Sequence, residues 1–121
     1  MNAEEILRDA LDRRKAGIDA GDSRQVADVF TDDAIFQGLR PYSVGRQGIA
    51  DYYASQPSGM TVSYRILETR EPAADVVLGY VNADFTFMDQ PPVHLHLGVL
   101  VSRGLDGWRI SHYQASRLDL D

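Results

Sequence analysis

The spacing of apolar residues changes near the middle of the chain, from a helical period to an alternating one. Residues 3–19 place apolar side chains three and four positions apart, which predicts an amphipathic helix that stops at Gly21. Asp22 is a good N-cap with Gln25 at capping-box spacing, so a second helix should begin there. The expected apolar face of this second helix is Val26, Val29 and Phe30.

The remaining segments predict one more helix and several strands. A short strand over 34–37 should precede a third helix over 46–55. Four longer strands, separated by Pro-rich and Gly-rich turns, are predicted over 61–70, 75–88, 93–103 and 108–117. Helices followed by sequential hairpins are typical of the α+β class. We therefore predict helices packed in a curved antiparallel sheet.

Composition narrows the range of functions. The chain has 121 residues, the size of one domain, which we expect to span 1–121. It has no cysteine, which excludes thiolate metal sites and cysteine nucleophiles. Twelve Lys and Arg against eighteen Asp and Glu give a formal net charge of −6, which argues against nucleic acid and anionic membranes as partners. Since no apolar run reaches the ~20 residues of a membrane helix and the start is acidic, we expect a cytoplasmic protein.

Several short motifs together resemble the NTF2-like superfamily, which includes ketosteroid isomerases, SnoaL-like polyketide cyclases and accessory proteins of enediyne antibiotic clusters. The motifs are Ala20-Gly21-Asp22, Val29-Phe30, Asp32-Asp33-Ala34, Gly45 with Ile49 and Tyr53, and Gly107-Trp108-Arg109-Ile110. The resemblance covers nearly the whole chain and is strongest to the SnoaL-like and enediyne subgroup. It implies a cone-shaped fold with a pocket for an apolar small molecule, used without a cofactor. Because this fold supports many activities, the motifs do not name the function.

The sequence departs from the ketosteroid isomerases at the positions that carry their chemistry. Those enzymes share a tyrosine on the first helix, an aspartate base after the first strand and an aspartic acid on a later strand. The matching segments here hold Arg14, Gly38 and the stretch 97–99. Isomerisation needs a base at the carbon acid and donors at the developing oxyanion, so we do not expect this activity.

Strand register determines which side chains would face the pocket. Counting across the four-residue turn 104–107 sets Val101 against Ile110 and Val99 against His112. Counting across the four-residue turn 89–92 sets Val99 against Asn82 and Leu97 against Asp84. The predicted concave face is Leu78, Tyr80, Asn82, Asp84, Leu97, Val99, Ile110, His112 and Gln114. The predicted convex face is Val81, Phe85, Phe87, His94, His96, Tyr113 and Arg117. A one-residue bulge would exchange the two sets beyond it.

Asp84 and His112 are the catalytic candidates on the predicted concave face. Asp84 lies in an apolar strand, where a carboxylate must be solvated, paired or part of a pocket. It is therefore a solvated strand-end residue, a structural ion-pair partner or a pocket acid or base. His112 is either a hydrogen-bonded core histidine or a pocket group that transfers protons.

The predicted ligand-binding residues are Arg14, Tyr53, Tyr80, Asn82 and Gln114. Arg14 lies on the apolar stripe of the first helix, where it could extend to water, pair with an acid such as Asp84, or hold an anionic group of a ligand. Tyr53 is preferred over Tyr52 because the family resemblance implies that this position faces the cavity.

Two further features concern metals and partners. His94 and His96 share one strand face, but no third ligand accompanies them, so we predict no metal, and an interface or a solvated face instead. The second face of strand 75–88 is also apolar, through Val77, Val81, Ala83, Phe85 and Phe87. Exposed apolar patches of this kind mark interfaces, so a homodimer through the convex face is predicted.

Three functions fit these observations. The first is an accessory or cyclase/isomerase-like enzyme acting on an apolar, polyketide-type intermediate. The second is a non-catalytic small-molecule carrier, and the third is a dimerisation module without a ligand. A pocket with a coupled acid and histidine would favour the first function, a pocket with only apolar groups the second, and a filled core the third.

Overall fold

The helices begin and end where local side chains satisfy their backbone. A computed structural model describes residues 1–118 and has helices α1 (Ala3–Asp19), α2 (Ser23–Ala27) and α3 (Arg46–Ala54). A full capping box opens α1, in which the Asn2 side chain accepts from the Glu5 amide at 2.9 Å and the Glu5 side chain accepts from the Asn2 amide at 3.1 Å. Asp22 caps α2 as predicted.

Six strands form one sheet. They are β1 (Phe30–Gln37), β2 (Ser43–Val44), β3 (Thr61–Ala73), β4 (Val76–Thr86), β5 (Val93–Gly104) and β6 (Gly107–Arg117). Their order across the sheet is β2-β1-β6-β5-β4-β3. All neighbours are antiparallel except β1 and β6, which run parallel, so the sheet is mixed rather than wholly antiparallel. Phe30 opens β1 instead of lying on α2, because α2 stops at Ala27.

The helices pack on the inner, concave face of the curved sheet, which confirms the predicted α+β class. The core includes Leu7 and Leu11 from α1, Ile49 from α3 and Leu97 from β5, all essentially inaccessible to water. Burial of such side chains contributes about 1.5–3 kcal/mol each. Within residues 1–118, no helix is long and apolar enough to cross a membrane.

The register between β4 and β5 differs from the predicted one. Val81 lies opposite Leu97 and Gly79 opposite Val99, whereas Asp84 lies opposite His94. The reason is the length of the turn, since Phe85 pairs with Val93 and an odd number of residues separates them. Residues of the same parity therefore share a face, and the predicted pairs of Leu97 with Asp84 and Val99 with Asn82 are wrong.

A bulge also changes the faces of β6. Val101 lies opposite Ile110 as predicted, but Leu100 lies opposite His112 and Val99 opposite Tyr113. The extra residue between Ile110 and His112 moves Tyr113 to the inner face and His112 to the outer face. The apolar residues predicted for the outer face of β4 are inner as well, namely Val77, Val81, Ala83 and Phe85.

Candidate ligand-binding cavity

A cavity of 210 Å³ opens where the C-terminal end of α3 meets the ends of β4 and β6 and the start of β5. Its walls combine large apolar and aromatic side chains with a few polar ones. The lining residues are Leu39, Arg40, Tyr52, Tyr53, Gln56, Pro57, Met60, Phe85, Phe87, Gln90, Val93, Leu95, Tyr113 and Arg117. A pocket with apolar walls and few polar groups is the usual plan of a small-molecule site.

Aromatic rings form the inner wall of the cavity. Tyr113 stacks on Phe36 with ring centroids 4.8 Å apart, and Phe36 contacts the rings of Tyr52 and Tyr53 at 4.9 and 5.7 Å. Tyr52 and Tyr53 meet edge to face at 5.2 Å. Such contacts hold each ring in one orientation. The phenol groups at this wall are therefore preorganised rather than mobile.

The phenols of α3 stay protonated at neutral pH. Burial raises the pKa of Tyr53 well above its usual value of 10.0, and the nearby Arg14 offsets only part of this effect. Burial also raises the pKa of Tyr52, against a hydrogen bond of 3.3 Å that its hydroxyl accepts from the Leu39 amide. A protonated phenol can donate a hydrogen bond to a ligand oxygen.

Gly38 lies at the position that corresponds to the aspartate base of the ketosteroid isomerases. A Cβ atom at this residue would clash with the hydroxyl end of Tyr52. The space next to Gly38 is therefore filled by a phenol in place of the carboxylate that the isomerases use.

Arg14 lies directly behind the aromatic wall. Its guanidinium carbon is 4.9 Å from the ring centroid of Tyr113 and 5.6 Å from that of Phe85, and both rings line the cavity. The residue is 2% exposed, and among residues 1–118 its Nη1 atom has no hydrogen-bond partner. Burial lowers the pKa of Arg14, but the phenols of Tyr113 and Tyr53 more than compensate, so the pKa lies above its usual value and the charge persists.

Among residues 1–118, the charged side chains that line the cavity are basic. Arg40 and Arg117 are exposed residues of its wall, and Arg40 lies over the Tyr52 ring with 5.9 Å between guanidinium carbon and centroid. Among the lining residues within 1–118 there is no Asp, Glu or His. A chain with a net charge of −6 thus surrounds this cavity with positive charge.

A second depression of 370 Å³ lies between the end of α1, α2 and the loop before β3. Its charged residues, Asp19 and Asp22, are exposed, and Asp22 is already used to cap α2. It lacks a buried charged side chain of the kind found behind the smaller cavity. We therefore take the 210 Å³ cavity as the candidate site.

Two predicted ligand-binding residues have the predicted inward placement. Tyr53 lines the cavity and is buried. Arg14 is inward on α1 and neither extends to water nor pairs with Asp84, because that carboxylate lies on the other side of the sheet. Both residues are on helices, so the strand register did not affect their placement.

The other predicted site residues lie on the outer face, so their predicted concave placement is wrong. Asp84 pairs with His94 at 2.6 Å, and both side chains are partly in water. Tyr80 is 50% exposed and packs on the His96 ring, and Asn82 is 3.3 Å from His96 Nδ1. The sheet places the remaining predicted residues, His112 and Gln114, on this face as well. The premise for Asp84 and His112 as pocket catalysts no longer applies.

Sequence reasoning assigned Tyr113, Phe85, Phe87 and Arg117 to the outer face, whereas all four line the cavity. A signal for Tyr113 is present in the sequence of β6, where the apolar positions change parity from Trp108 and Ile110 to Tyr113 and Ala115. Such a change indicates a bulge. From Val81 to Thr86 of β4, the odd positions are the more apolar ones, and this pattern is a better guide than the length of the turn.

No group of three His, Asp or Glu side chains within residues 1–118 is arranged to hold a metal ion. His94 and His96 share the outer face as predicted, where their neighbours are Asp84 and Asn82. The described residues do not assemble a third nitrogen or oxygen ligand next to this pair. The prediction that the protein uses no metal and no cofactor stays a prediction.

Comparison with known proteins identifies the fold. No family model matches the chain, and no curated protein sequence matches it. A ketosteroid isomerase-like protein from Erwinia carotovora atroseptica superimposes with a TM-score of 0.82 at 22% identity, over 96% of this chain and 96% of that one. An NTF2-like protein with a cystatin-like fold from Novosphingobium aromaticivorans has a TM-score of 0.78 at 15% identity, over 98% and 83% of the two chains.

A third structure, an NTF2-like protein from Shewanella oneidensis, matches with a TM-score of 0.80 at 14% identity, over 93% of this chain and 98% of that one. At these identities the likeness establishes the fold alone. The chain therefore has an NTF2-like fold, as its sequence motifs implied. The matched structures do not single out the SnoaL-like or enediyne subgroup.

Proposed function

We propose that the protein binds an apolar small molecule in the 210 Å³ cavity, without a cofactor. The observation that carries this proposal is an aromatic-walled cavity with protonated phenols and a buried guanidinium directly behind its wall. The volume is below the roughly 300–1,000 Å³ of drug-sized sites and above the roughly 150 Å³ of an engineered cavity that admits benzene. A ligand with one ring or a short chain is the expected size.

The lining favours a binding protein over an enzyme that abstracts a proton. General-base chemistry needs a side chain that can take up a proton within hydrogen-bond reach of the substrate. Among residues 1–118, the cavity lining offers phenols and guanidinium groups for this role, and neither is a base at neutral pH. A carrier or binding protein for a small biosynthetic intermediate is therefore our first candidate.

A cyclase- or isomerase-like accessory enzyme acting on a polyketide-type intermediate is the second candidate. The observation in its favour is that Tyr53 lines the inner wall and Arg14 lies directly behind that wall, where both could stabilise a developing enolate oxygen. The resemblance to SnoaL-like and enediyne-cluster proteins supports the substrate class. The name of the ketosteroid isomerase-like neighbour is also compatible with this chemistry.

Ligand-observed NMR with small neutral aromatic compounds, such as indole and cinnamyl alcohol, tests the binding function. We expect binding to the wild type and its loss in Val93→Trp, because the larger ring would fill the cavity. Gln114→Trp is the matched control, since that residue is exposed on the outer face and its replacement should leave binding intact. Equal binding by both variants, with folding verified by circular dichroism, would show that the ligand binds outside this cavity.

Hydrogen–deuterium exchange next to the carbonyl of a small β-keto ester tests the second candidate. Removal of one oxyanion donor costs about 10²–10³ in rate, so Tyr53→Phe should slow a catalysed exchange by that order. No acceleration over buffer by the wild type would reject the enzyme and leave the binding function standing.

We also propose that two copies associate through the outer sheet face, as a homodimer. The residues differ from those predicted, because the apolar row across this face comprises Val44, Ile35, Leu100 and Leu78, with His112 between Ile35 and Leu100. Ile35, Val44 and Leu78 are exposed. This row carries no acidic residue, so two chains of net charge −6 would meet there with least repulsion.

Light scattering at micromolar concentration tests the assembly. We expect a dimer mass for the wild type and a monomer mass for Leu78→Asp, which puts a charge into the row. Leu105→Asp is the control, because this fully exposed turn residue lies outside the row. A monomer mass for the wild type would reject the homodimer.

A further inference from the structure

Arg14 is a buried charge that the described chain leaves without a counter-ion. It is 2% exposed, and within residues 1–118 no carboxylate forms an ion pair with it. Its Nη1 donor is also without a hydrogen-bond partner in this part of the chain. The faces of Tyr113 and Phe85 provide the favourable contacts that the guanidinium makes.

An uncompensated buried charge is costly to the folded state. Removal from water penalises a guanidinium strongly, and contact with aromatic faces restores only part of the lost hydration. An apolar side chain of similar length would fill the same space on the α1 stripe without that penalty. Burial of the charge therefore carries a desolvation cost that no carboxylate within residues 1–118 offsets, and the compensation comes from the phenols of the cavity wall.

The position of the charge connects it to the cavity. The two rings that contact the guanidinium, Tyr113 and Phe85, both line the cavity, and so does Tyr53, whose buried phenol interacts with the Arg14 charge. In this water-poor environment a positive charge acts strongly over about 5 Å. Arg40 and Arg117 at the wall add positive charge on the outer side of the same cavity.

We propose that the ligand of this cavity is an organic anion, namely a small aromatic or short apolar acid whose carboxylate lies at the inner end and neutralises Arg14. The ring or chain of the acid occupies the aromatic part of the cavity, and the Tyr53 hydroxyl donates to a carboxylate oxygen. This inference rests on the proposed binding function and adds the charge of the ligand. The 210 Å³ volume admits an acid of about the size of cinnamate.

Titration calorimetry with trans-cinnamate and its neutral isostere cinnamamide, at constant ionic strength, distinguishes the contribution of the ligand's charge to affinity from that of its apolar part. Wild-type protein should bind cinnamate about tenfold or more tightly than cinnamamide, as charge-assisted hydrogen bonds typically provide. Arg14→Met should lower cinnamate affinity by about the same factor and leave cinnamamide within about twofold. Arg8→Met, which removes an exposed charge of the same helix outside the cavity lining, should change cinnamate affinity by less than about threefold.

A stability measurement distinguishes this role from a structural one. If Arg14 serves the ligand, Arg14→Met without ligand should melt at the wild-type temperature or above it, because the buried charge is gone. A structural Arg14 would instead make the variant melt several degrees lower. Arg14→Lys, which keeps a charge but loses the planar fork, should retain a preference for cinnamate over cinnamamide.

The outcomes separate the two proposals. Equal affinity of the wild type for cinnamate and cinnamamide overturns the anion inference and leaves the binding function intact. Binding of neither compound, together with no binding of the neutral aromatic panel, overturns both. A larger loss in Arg117→Met than in Arg14→Met would place the carboxylate at the mouth and overturn the role of Arg14. If Arg14→Met fails to fold, the comparison of the two compounds on the wild type still decides the ligand's charge.

Discussion

The inner and outer faces of β4, β5 and β6 carry different chemistry on the same three strands. The inner face carries Val81, Leu97 and Tyr113, which contact the helices or the cavity. The outer face carries all three histidines of the chain and the Asp84 carboxylate. Imidazole and carboxylate groups therefore lie where water can solvate them, whereas the inner face carries Tyr113 and packs against Arg14 and Tyr53 of the helices. The difference shows that the titratable pair visible in the sequence and the site visible in the structure are separate features.

A strand pattern places side chains in two sets, and only the register assigns the sets to faces. One inserted residue exchanges them. The exchange here removes a carboxylate and an imidazole from the cavity and brings in Tyr113 and Phe85. The lining within residues 1–118 then contains phenols and guanidinium groups instead of the acid and imidazole that proton transfer would use. If the two faces differ in this way, matched substitutions on them should have unequal effects.

The largest difference is expected for a matched pair of leucines. Leu97 is 0% exposed on the inner face and Leu78 is 37% exposed on the outer face. Leu97→Ala should lower the free energy of unfolding by about 2–5 kcal/mol, because a cavity would remain in the core. Leu78→Ala should cost less than about 1 kcal/mol at low protein concentration.

Urea unfolding monitored by circular dichroism measures both variants. The cost of Leu78→Ala should grow with protein concentration, since the proposed homodimer buries this residue and stabilises it by mass action. Equal costs for the two variants at low concentration would show that the faces have been assigned wrongly.

Two glycines sharpen the same comparison. A Cβ atom on Gly79 would lie 2.5 and 2.7 Å from the two methyl carbons of Leu7, whereas a Cβ atom on Gly98 would meet nothing within 4 Å. Gly79→Ala should therefore cost about 1–3 kcal/mol through displacement of a packed α1 side chain. Gly98→Ala should be neutral or stabilise the chain by a few tenths of a kcal/mol, by restricting the unfolded state.

Thermal unfolding of the two variants decides between these expectations. A neutral Gly79→Ala would mean that α1 is not held against β4 as described. A loss of stability in Gly98→Ala that increases with concentration would instead report a second copy on the outer face.

The helices and the class of fold could be predicted from the sequence because their signals are local. Asp22 and Gly21 mark a helix start and a helix end through their own backbone chemistry, and both do so in the structure. The parallel pairing of β1 with β6 could not be obtained in this way, because it joins residues far apart in the chain, such as Phe30 and Ile110. Hairpin logic covers only neighbours in sequence.

The same distinction between local and long-range signals applies to the residues of the candidate site. Arg14 and Tyr53 were predicted to point inward from helical periodicity and resemblance, which do not depend on distant pairing. The strand residues of the site depended on a turn length and on a bulge, and both were assigned incorrectly. The absence of a carboxylate from the lining within residues 1–118 then follows from register rather than from composition.

The buried phenols of the inner face predict a loss of stability at alkaline pH. The folded-state pKa of Tyr53 lies above its usual value of 10.0, because burial disfavours the charged form. The stability that the protonated Tyr53 phenol provides is fully present below pH 10. Above pH 10 the unfolded chain has released this proton and the native state has not. The stability is therefore lost as pH rises from 10 through the folded-state pKa. The expected slope is about −1.4 kcal/mol per pH unit for one such group.

Urea unfolding of the wild type and Tyr53→Phe between pH 8 and pH 11 isolates this slope, because the other tyrosines contribute to both proteins. The wild type should lose stability more steeply than the variant above pH 10. Tyr52→Phe should reduce the slope less, since the hydrogen bond from Leu39 and the charge of Arg40 oppose the effect of burial on the Tyr52 pKa. Parallel curves for wild type and Tyr53→Phe would place the Tyr53 hydroxyl in water.

The smallest effect is expected on the outer face, for Asp84→Asn. The Asp84 and His94 side chains are 55% and 39% exposed, and exposed ion pairs contribute only about 0.2–1 kcal/mol. The amide is nearly isosteric and can still hydrogen-bond to His94, so the free energy of unfolding should fall by less than about 0.5 kcal/mol, a typical bound for surface substitutions.

The ligand affinity of Asp84→Asn should not change, because the sheet separates this pair from the cavity. Calorimetry with cinnamate on Asp84→Asn, beside Tyr53→Phe as the inner-face counterpart, measures the affinity, and urea unfolding measures the stability. A tenfold or larger loss of affinity in Asp84→Asn, with Tyr53→Phe unaffected, would return the site to the outer face and reverse the comparison.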